Sequence, residues 1–265
     1  MTQNHSSQSS VRAVLSPIVE DMLAVDEILR RELAHSQSPT VTEIGSYIIG
    51  AGGKRMRPAL LMLMARALGY EGVEHRELGA TIEMLHTATL MHDDVVDEGK
   101  MRRGRATANA RWGNSIAVLV GDFMYTRSFE MMIRIGNLRV MQALAQAANT
   151  LSEGEVIQMK NAHDPAVDEA RYLQVIERKT SVLFAAAAKM ASALASASPT
   201  QEKALVDYCM ALGNAFQIAD DILDYSGDSA QSGKLIGADF AEGKVTLPVI
   251  YAMQNTNESN RAFIE

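Results

Sequence analysis

Apolar side chains recur along most of this chain at three- and four-residue spacing, the repeat that lines one face of a helix. Nowhere do they alternate every second residue for long enough to suggest a strand. The pattern predicts helices over Val11 to Ala34, Val41 to Gly50, Arg57 to Gly69, Arg76 to Glu98, Ser115 to Ile135 and Leu138 to Asn161. Later segments are Asp168 to Ala197, Pro199 to Tyr225 and Val245 to Asn255. Turn-forming residues mark the breaks: Gly69, Gly72, Gly99, Gly136-Asn137, His163-Asp164-Pro165 and Ser226-Gly227. Ser198-Pro199-Thr200-Gln201 reads as a capping box with proline at the first helical position. The expected fold class is all-α. Met1 to Ser10, polar and without apolar spacing, is expected to be a disordered tail, leaving Val11 to Glu265 as a single helical domain.

Two of these helices end abnormally. The runs Met84 to Asp97 and Ala211 to Asp224 finish in the same five-residue pattern, Asp93-Asp94-Val95-Val96-Asp97 and Asp220-Asp221-Ile222-Leu223-Asp224. In a helix the first and last aspartate of each pattern share a face, where like charges repel and where anions near a C-terminus oppose the helix dipole. One such cluster is usually a solvated helix end. Two copies with identical spacing call for a compensating cation. A carboxylate donor set without attendant cysteine or histidine suits Mg²⁺, or Mn²⁺, which takes one or two carboxylates and completes its shell with water and phosphate oxygens. The substrate expected from this donor set carries a phosphate or diphosphate.

The cations to meet it are present. Gly52-Gly53-Lys54-Arg55-Met56-Arg57-Pro58 leads into a helix start, where backbone N–H groups also favour anions. Lys100-Met101-Arg102-Arg103-Gly104-Arg105 follows the first aspartate cluster directly, and arginine forks grip phosphate oxygens two at a time. His86 lies seven residues before Asp93, nearly in line with it on the helix, although a lone histidine in an apolar helix is more often structural. The stretch from Ser226 to Gly243, rich in Gly, Ser, Asp and Lys, reads as a loop that could close Lys234 and Lys244 over an anion.

Composition narrows the field. The chain has 265 residues, of which 47% are hydrophobic and 5% aromatic, and its 16 methionines suit pliable apolar packing. A formal net charge of −7 argues against a nucleic-acid partner, which needs a broad basic face. The single Cys209 excludes an internal disulfide and makes a thiolate zinc site improbable. No secretory signal and no apolar run long enough to span a bilayer is evident, so the expected location is cytoplasmic.

Taken together, Gly53-Lys54-Arg55-Met56-Arg57-Pro58, His86, the two aspartate clusters, Arg102-Arg103-Gly104, Gly121-Asp122, Lys179-Thr180, Phe216-Gln217, Lys234 and Gly243-Lys244 resemble the trans-isoprenyl diphosphate synthases in order and spacing. That family's fold is a helical bundle around a central apolar cavity. The resemblance implies head-to-tail condensation of isopentenyl diphosphate with an allylic diphosphate. It implies that Lys54, Arg57, His86 and Arg103 bind isopentenyl diphosphate, and that Arg102, Lys179, Thr180, Gln217, Lys234 and Lys244 hold the allylic diphosphate. It further implies that Asp93, Asp97, Asp220 and Asp224 bind Mg²⁺, supported by Asp94 and Asp221.

Relatives with short products carry bulky aromatics where this chain has Ala88 and Thr89. The small residues, with Leu85, Met84 and Thr81 behind them and Met124 or Phe129 as a floor, point to a long tunnel and an octaprenyl or nonaprenyl product serving quinone side chains. A shorter farnesyl or geranylgeranyl product is the alternative. A homodimer is expected, with Met124 to Ile135 and Val140 to Ala148 as a candidate interface or as core. Relatives of this kind continue beyond the position of Glu265 with further C-terminal helices. Two other readings compete. His86 with His92-Asp93 resembles the ligands of helical metal-dependent phosphohydrolases, which does not account for the second aspartate cluster. A non-catalytic subunit should have lost motifs that are intact here.

Overall fold

A computed structural model describes residues 13–226 and 237–264, so Lys234 and the tail Met1 to Ser10 lie outside the described residues. After a 3₁₀ turn at Ser16–Ile18 come helices α1 (Val19–Ala34), α2 (Pro39–Ile49), α3 (Met56–Ala67) and α4 (Glu74–Val96). A two-residue ladder, β1 (Met101–Arg102) with β2 (Arg105–Ala106), precedes α5 (Ala108–Trp112), α6 (Asn114–Arg134) and α7 (Leu138–Asn161). The chain continues through α8 (Glu169–Ile176), a π turn at Glu177–Ser181, α9 (Val182–Leu194) and α10 (Pro199–Ser226). It closes with α11 (Ala238–Ala241), α12 (Leu247–Gln254) and α13 (Glu258–Ile264).

Helix α4 is the axis of the packing, lying against α6, α3, α1 and α9. Its Leu78, Ile82, Met84, Leu85, Ala88 and Met91 join one core with Val25, Leu29 and Leu33 of α1, which recur every fourth residue as the spacing predicts. Helix α9 is apolar on all sides and packs against α10, α7 and α3. Its run Ala185 to Ala188 is buried throughout, so those helices approach closely. Buried ion pairs join the elements as well. Asp21, fully buried on α1, takes Arg66 of α3 and Arg76 of α4 at 2.8 Å each.

Two departures from the sequence reading matter for the site. The expected continuous helix from Asp168 to Ala197 is interrupted by the π turn, which apolar spacing does not reveal. Gly154 of α7 and Gly213 of α10 flank it: a Cβ at Gly154 would lie 2.9 Å from Arg178 Cβ, and one at Gly213 would lie 2.6 Å from Ser181 Cα. The widened turn needs that room, and it is where Lys179 and Thr180 emerge. The second departure is the hairpin. Arg103 and Gly104 both have positive φ, 52° and 71°, the two-residue turn whose twist matches paired strands.

The capping box is formed as expected: Gln201 N donates to Ser198 Oγ, and Ser198 N donates to Gln201 Oε1. The candidate dimer segments each give one face to the chain's own core. Met124, Met131, Met132, Val140, Leu144, Ala147 and Ala148 are buried in the chain's own core.

Candidate active site

A cavity of about 820 Å³ opens among α3, α4, the hairpin, α7, α8, the π turn, α10 and the segment from Asp239 to Thr246. Lys54, Arg57, His86, Thr89, Asp93, Asp97, Arg102, Arg103, Lys179, Thr180, Gln217, Asp220, Asp221, Asp224 and Lys244 all line it. Apolar side chains including Leu90, Leu151, Val175, Ile176, Phe184 and Phe216 complete the wall, so its lining is mixed and not purely apolar. Of the candidate residues described, Asp94, Leu85 and Ala88 stand outside this lining.

Asp93 and Asp97 both turn into the cavity, Asp97 capping the end of α4 with its N–H bonded to the Asp93 carbonyl at 2.8 Å. Each already faces an ammonium. Lys244 Nζ sits 2.8 Å from Asp97 Oδ2 and 2.7 Å from Glu242, while Lys179 Nζ lies 3.8 Å from Asp93 Oδ2. Burial alone would lower the Lys244 ammonium, but its bonds from Asp97 and Glu242 hold it above the ordinary lysine value. Burial raises the Asp93 carboxyl, with Lys179 opposing and Asp97 adding to the rise. Asp94 faces the other way. It is buried and accepts from Arg102 Nε at 2.8 Å, which aims the hairpin's first arginine at the cavity.

In the second cluster the middle aspartate is again the one tied down. Asp221 accepts from Tyr172 Oη at 2.6 Å and from Gln217 Nε2 at 2.7 Å, and Gln217 accepts in turn from Thr180 Oγ1 at 2.8 Å. Asp220 is exposed. Asp224 Oδ2 accepts from Asp239 N at 3.2 Å, whereas its buried Oδ1 has no hydrogen-bond partner among the described residues.

The isolated oxygen fits a cation, and so does the hard-oxygen character of the donor set. Among the described residues no three histidine, cysteine, aspartate or glutamate side chains converge as a closed metal cage.

The basic side is built by the Gly-Gly turn and the hairpin together. Gly52 and Gly53 have positive φ, 80° and 151°, and Arg103 donates to the Gly52 carbonyl. A Cβ on Gly53 would stand 2.7 Å from Arg103 Nη1, so glycine there admits the guanidinium. Arg55 is drawn away to Glu83 at 2.7 Å and to Asp26 at 3.3 Å. Arg57 instead stacks on Phe184, 4.8 Å from the ring centre, and its buried Nε has no partner. Burial lowers Arg57 to about 10, Glu83 opposing and Arg103 adding. Burial and then Arg57, Arg103, Arg102 and Arg55 push His86 well below its usual 6.5, so its ring is neutral at neutral pH. A cluster of cations with an orphaned guanidinium N–H is a receptor for an anion.

Several polar lining residues escape the motif reading, among them Glu83, which balances Arg55; Tyr172, which fixes Asp221; Glu155, bonded to Lys179 at 2.7 Å; and Gln158. Only Tyr172, within an amphipathic run, and Glu155, two residues from Glu153 on one helix, carried any signal, and neither signal was specific.

A cavity lined by two carboxylate clusters and by cations fits a diphosphate ligand. Residues 38–265 match the model of the polyprenyl synthetase family. Octaprenyl diphosphate synthase of Escherichia coli strain K12 is 50% identical over 236 residues, covering 89% of this chain and 73% of that relative. A decaprenyl diphosphate synthase structure from Rhodobacter capsulatus superposes with a TM-score of 0.89 at 48% identity, covering 95% of this chain and 78% of the other. A polyprenyl synthase from Caulobacter crescentus, solved with calcium and isoprenyl diphosphate, has a TM-score of 0.92 at 38% identity and covers 95% of this chain and 76% of its own. The chain belongs to the polyprenyl synthetase family, and long-chain trans-polyprenyl diphosphate synthesis is the activity these likenesses support. No helix among the described residues is long and apolar enough to cross a membrane.

Proposed function

We propose that the chain extends an allylic diphosphate with successive isopentenyl diphosphate units to an octaprenyl or nonaprenyl product for quinone side chains, working as a homodimer. The observation that carries the reading is one cavity that both carboxylate clusters share with two sets of cations: Lys179 and Lys244 beside Asp93 and Asp97, and Lys54, Arg57 and Arg103 with the neutral His86. Two diphosphate substrates need two such sets.

Asp93, Asp97, Asp220 and Asp224 are the residues that would hold Mg²⁺, which when bound supplies positive charge against the pyrophosphate that leaves. Arg102, Lys179 and Lys244 stabilise the same developing charge, as Thr180 and Gln217 orient it. The allylic C–O bond breaks, the isopentenyl double bond supplies the electron pair of the new C–C bond, and the departing pyrophosphate takes the proton then lost. Leu90, Leu151, Val175, Ile176 and Phe184 keep water from the cation. Thr89 lines the cavity wall, from which its side chain would meet the growing chain. Leu85, Met84, Thr81 and Met124 are packed in the core, so a long product requires that methionine-rich interior to yield.

Incubating the protein with farnesyl diphosphate, isopentenyl diphosphate and Mg²⁺ and resolving the dephosphorylated products by length tests this. Products of about forty carbons or more are expected, built in five-carbon steps. Release of inorganic phosphate without condensation would replace it with a phosphohydrolase.

A further inference from the structure

Lys179 is shared between two carboxylates of the cavity wall, Glu155 and Asp93. Glu155 projects from α7 into the cavity, and Lys179 reaches it from the π turn at 2.7 Å while standing 3.8 Å from Asp93. One ammonium therefore serves two carboxylates and lies nearer the one that belongs to no motif. The arrangement is fixed from behind. Gly154 brings α7 so close to the π turn that its Cβ would be 3.0 Å from Lys179 N, and Glu153 binds Arg178 at 2.7 Å. Three consecutive residues of α7 thus grip two consecutive residues of the turn. All three charged side chains are largely sheltered, with 26% of Glu155, 22% of Lys179 and 15% of Asp93 exposed, so their mutual pull is only partly screened.

We propose that Glu155 is a positioning residue that holds the Lys179 ammonium off Asp93, leaving that carboxylate open to the metal ion and delivering the cation to the diphosphate. Without a rival carboxylate, Lys179 closes the remaining gap and pairs with Asp93, and any divalent ion must then displace it. The inference rests on the reading that Asp93 holds a metal. It differs from a metal-ligand role for Glu155, because the effect runs through Lys179 and vanishes when Lys179 is gone.

Direct Mn²⁺ binding in the presence of inorganic pyrophosphate, followed by electron paramagnetic resonance on the full chain, tests it without turnover. Glu155→Gln should weaken Mn²⁺ binding roughly five- to tenfold, as expected for competition by a sheltered ion pair, and Glu155→Asp should restore part of it. Lys179→Met with Glu155→Gln should bind Mn²⁺ as Lys179→Met alone does, since a residue acting through another shows no additive effect. An unchanged affinity in Glu155→Gln, or a further loss in the double variant, overturns the proposal. Asp93→Asn is the control: if it binds Mn²⁺ normally, the metal assignment itself has failed, whereas loss there with no change in Glu155→Gln refutes only the inference. Glu155→Leu, which also removes the carboxylate, supplies the same comparison if Glu155→Gln lowers the melting temperature.

Discussion

The two aspartate clusters share a spacing and differ in what surrounds them. In both, the first and last carboxylates border the cavity and the second is anchored, Asp94 by an arginine and Asp221 by a tyrosine and a glutamine. The outer carboxylates of the first cluster already face ammonium groups, whereas Asp220 is exposed and Asp224 keeps an oxygen without a partner among the described residues. Like spacing therefore gives like orientation, because helix geometry sets it. It does not give like electrostatics, which depend on what other elements bring. The proposed reading gives the chemistry to the outer pairs, and the inner residues tie each pair to the fold by unrelated means.

The comparison breaks most visibly at the outer positions. Asp93→Asn and Asp220→Asn should each lower kcat/KM for condensation by roughly a thousandfold or more with little change in melting temperature, the scale of losing a group that stabilises developing charge. Equal loss of stability and activity would contradict the division of labour. The inner positions should behave in reverse. Asp94→Asn leaves Arg102 without its carboxylate and should cost about 2 kcal/mol in denaturant unfolding, discounted because Arg102 is a third exposed.

Chain-length residues give a second contrast. Thr89→Tyr should shorten the product distribution without unfolding the protein. Ala88→Tyr, at a fully buried position outside the cavity lining, should cost about 1–3 kcal/mol by overpacking. Tyr172→Phe removes one hydrogen bond to Asp221 and should cost about 1 kcal/mol of stability in denaturant unfolding.

The smallest effect concerns pH. Burial and four arginines depress His86 in the folded state, while the unfolded chain takes up a proton near 6.5. The unfolded state then binds more protons on acidification, so stability is lost as pH falls below 6.5. His86→Asn should flatten that acid limb of the melting temperature, by less than about 1.4 kcal/mol per pH unit. An unchanged limb would assign the acid loss to other groups.

Most of the helical frame was legible because it rests on local spacing: α7 falls where the periodicity puts it, and the cap at Ser198 follows from neighbouring residues. The aspartate faces were legible for the same reason. What escaped depends on partners distant in sequence. The π turn exists because two glycines far apart make room for it, and the hairpin at Arg103-Gly104 is too short for any alternation to show. Tyr172 and Glu155 matter only through what the fold places beside them. Residue order also overstated the tunnel, since Leu85 and Ala88 lie on the right helix but turn into the core.

The most direct test of the central division is Mn²⁺ affinity, with inorganic pyrophosphate present, across Asp93→Asn, Asp94→Asn, Asp220→Asn and Asp221→Asn. The account predicts a large loss of affinity in the first and third and near-normal affinity in the other two, provided they remain folded. Equal losses in all four folded variants would contradict it.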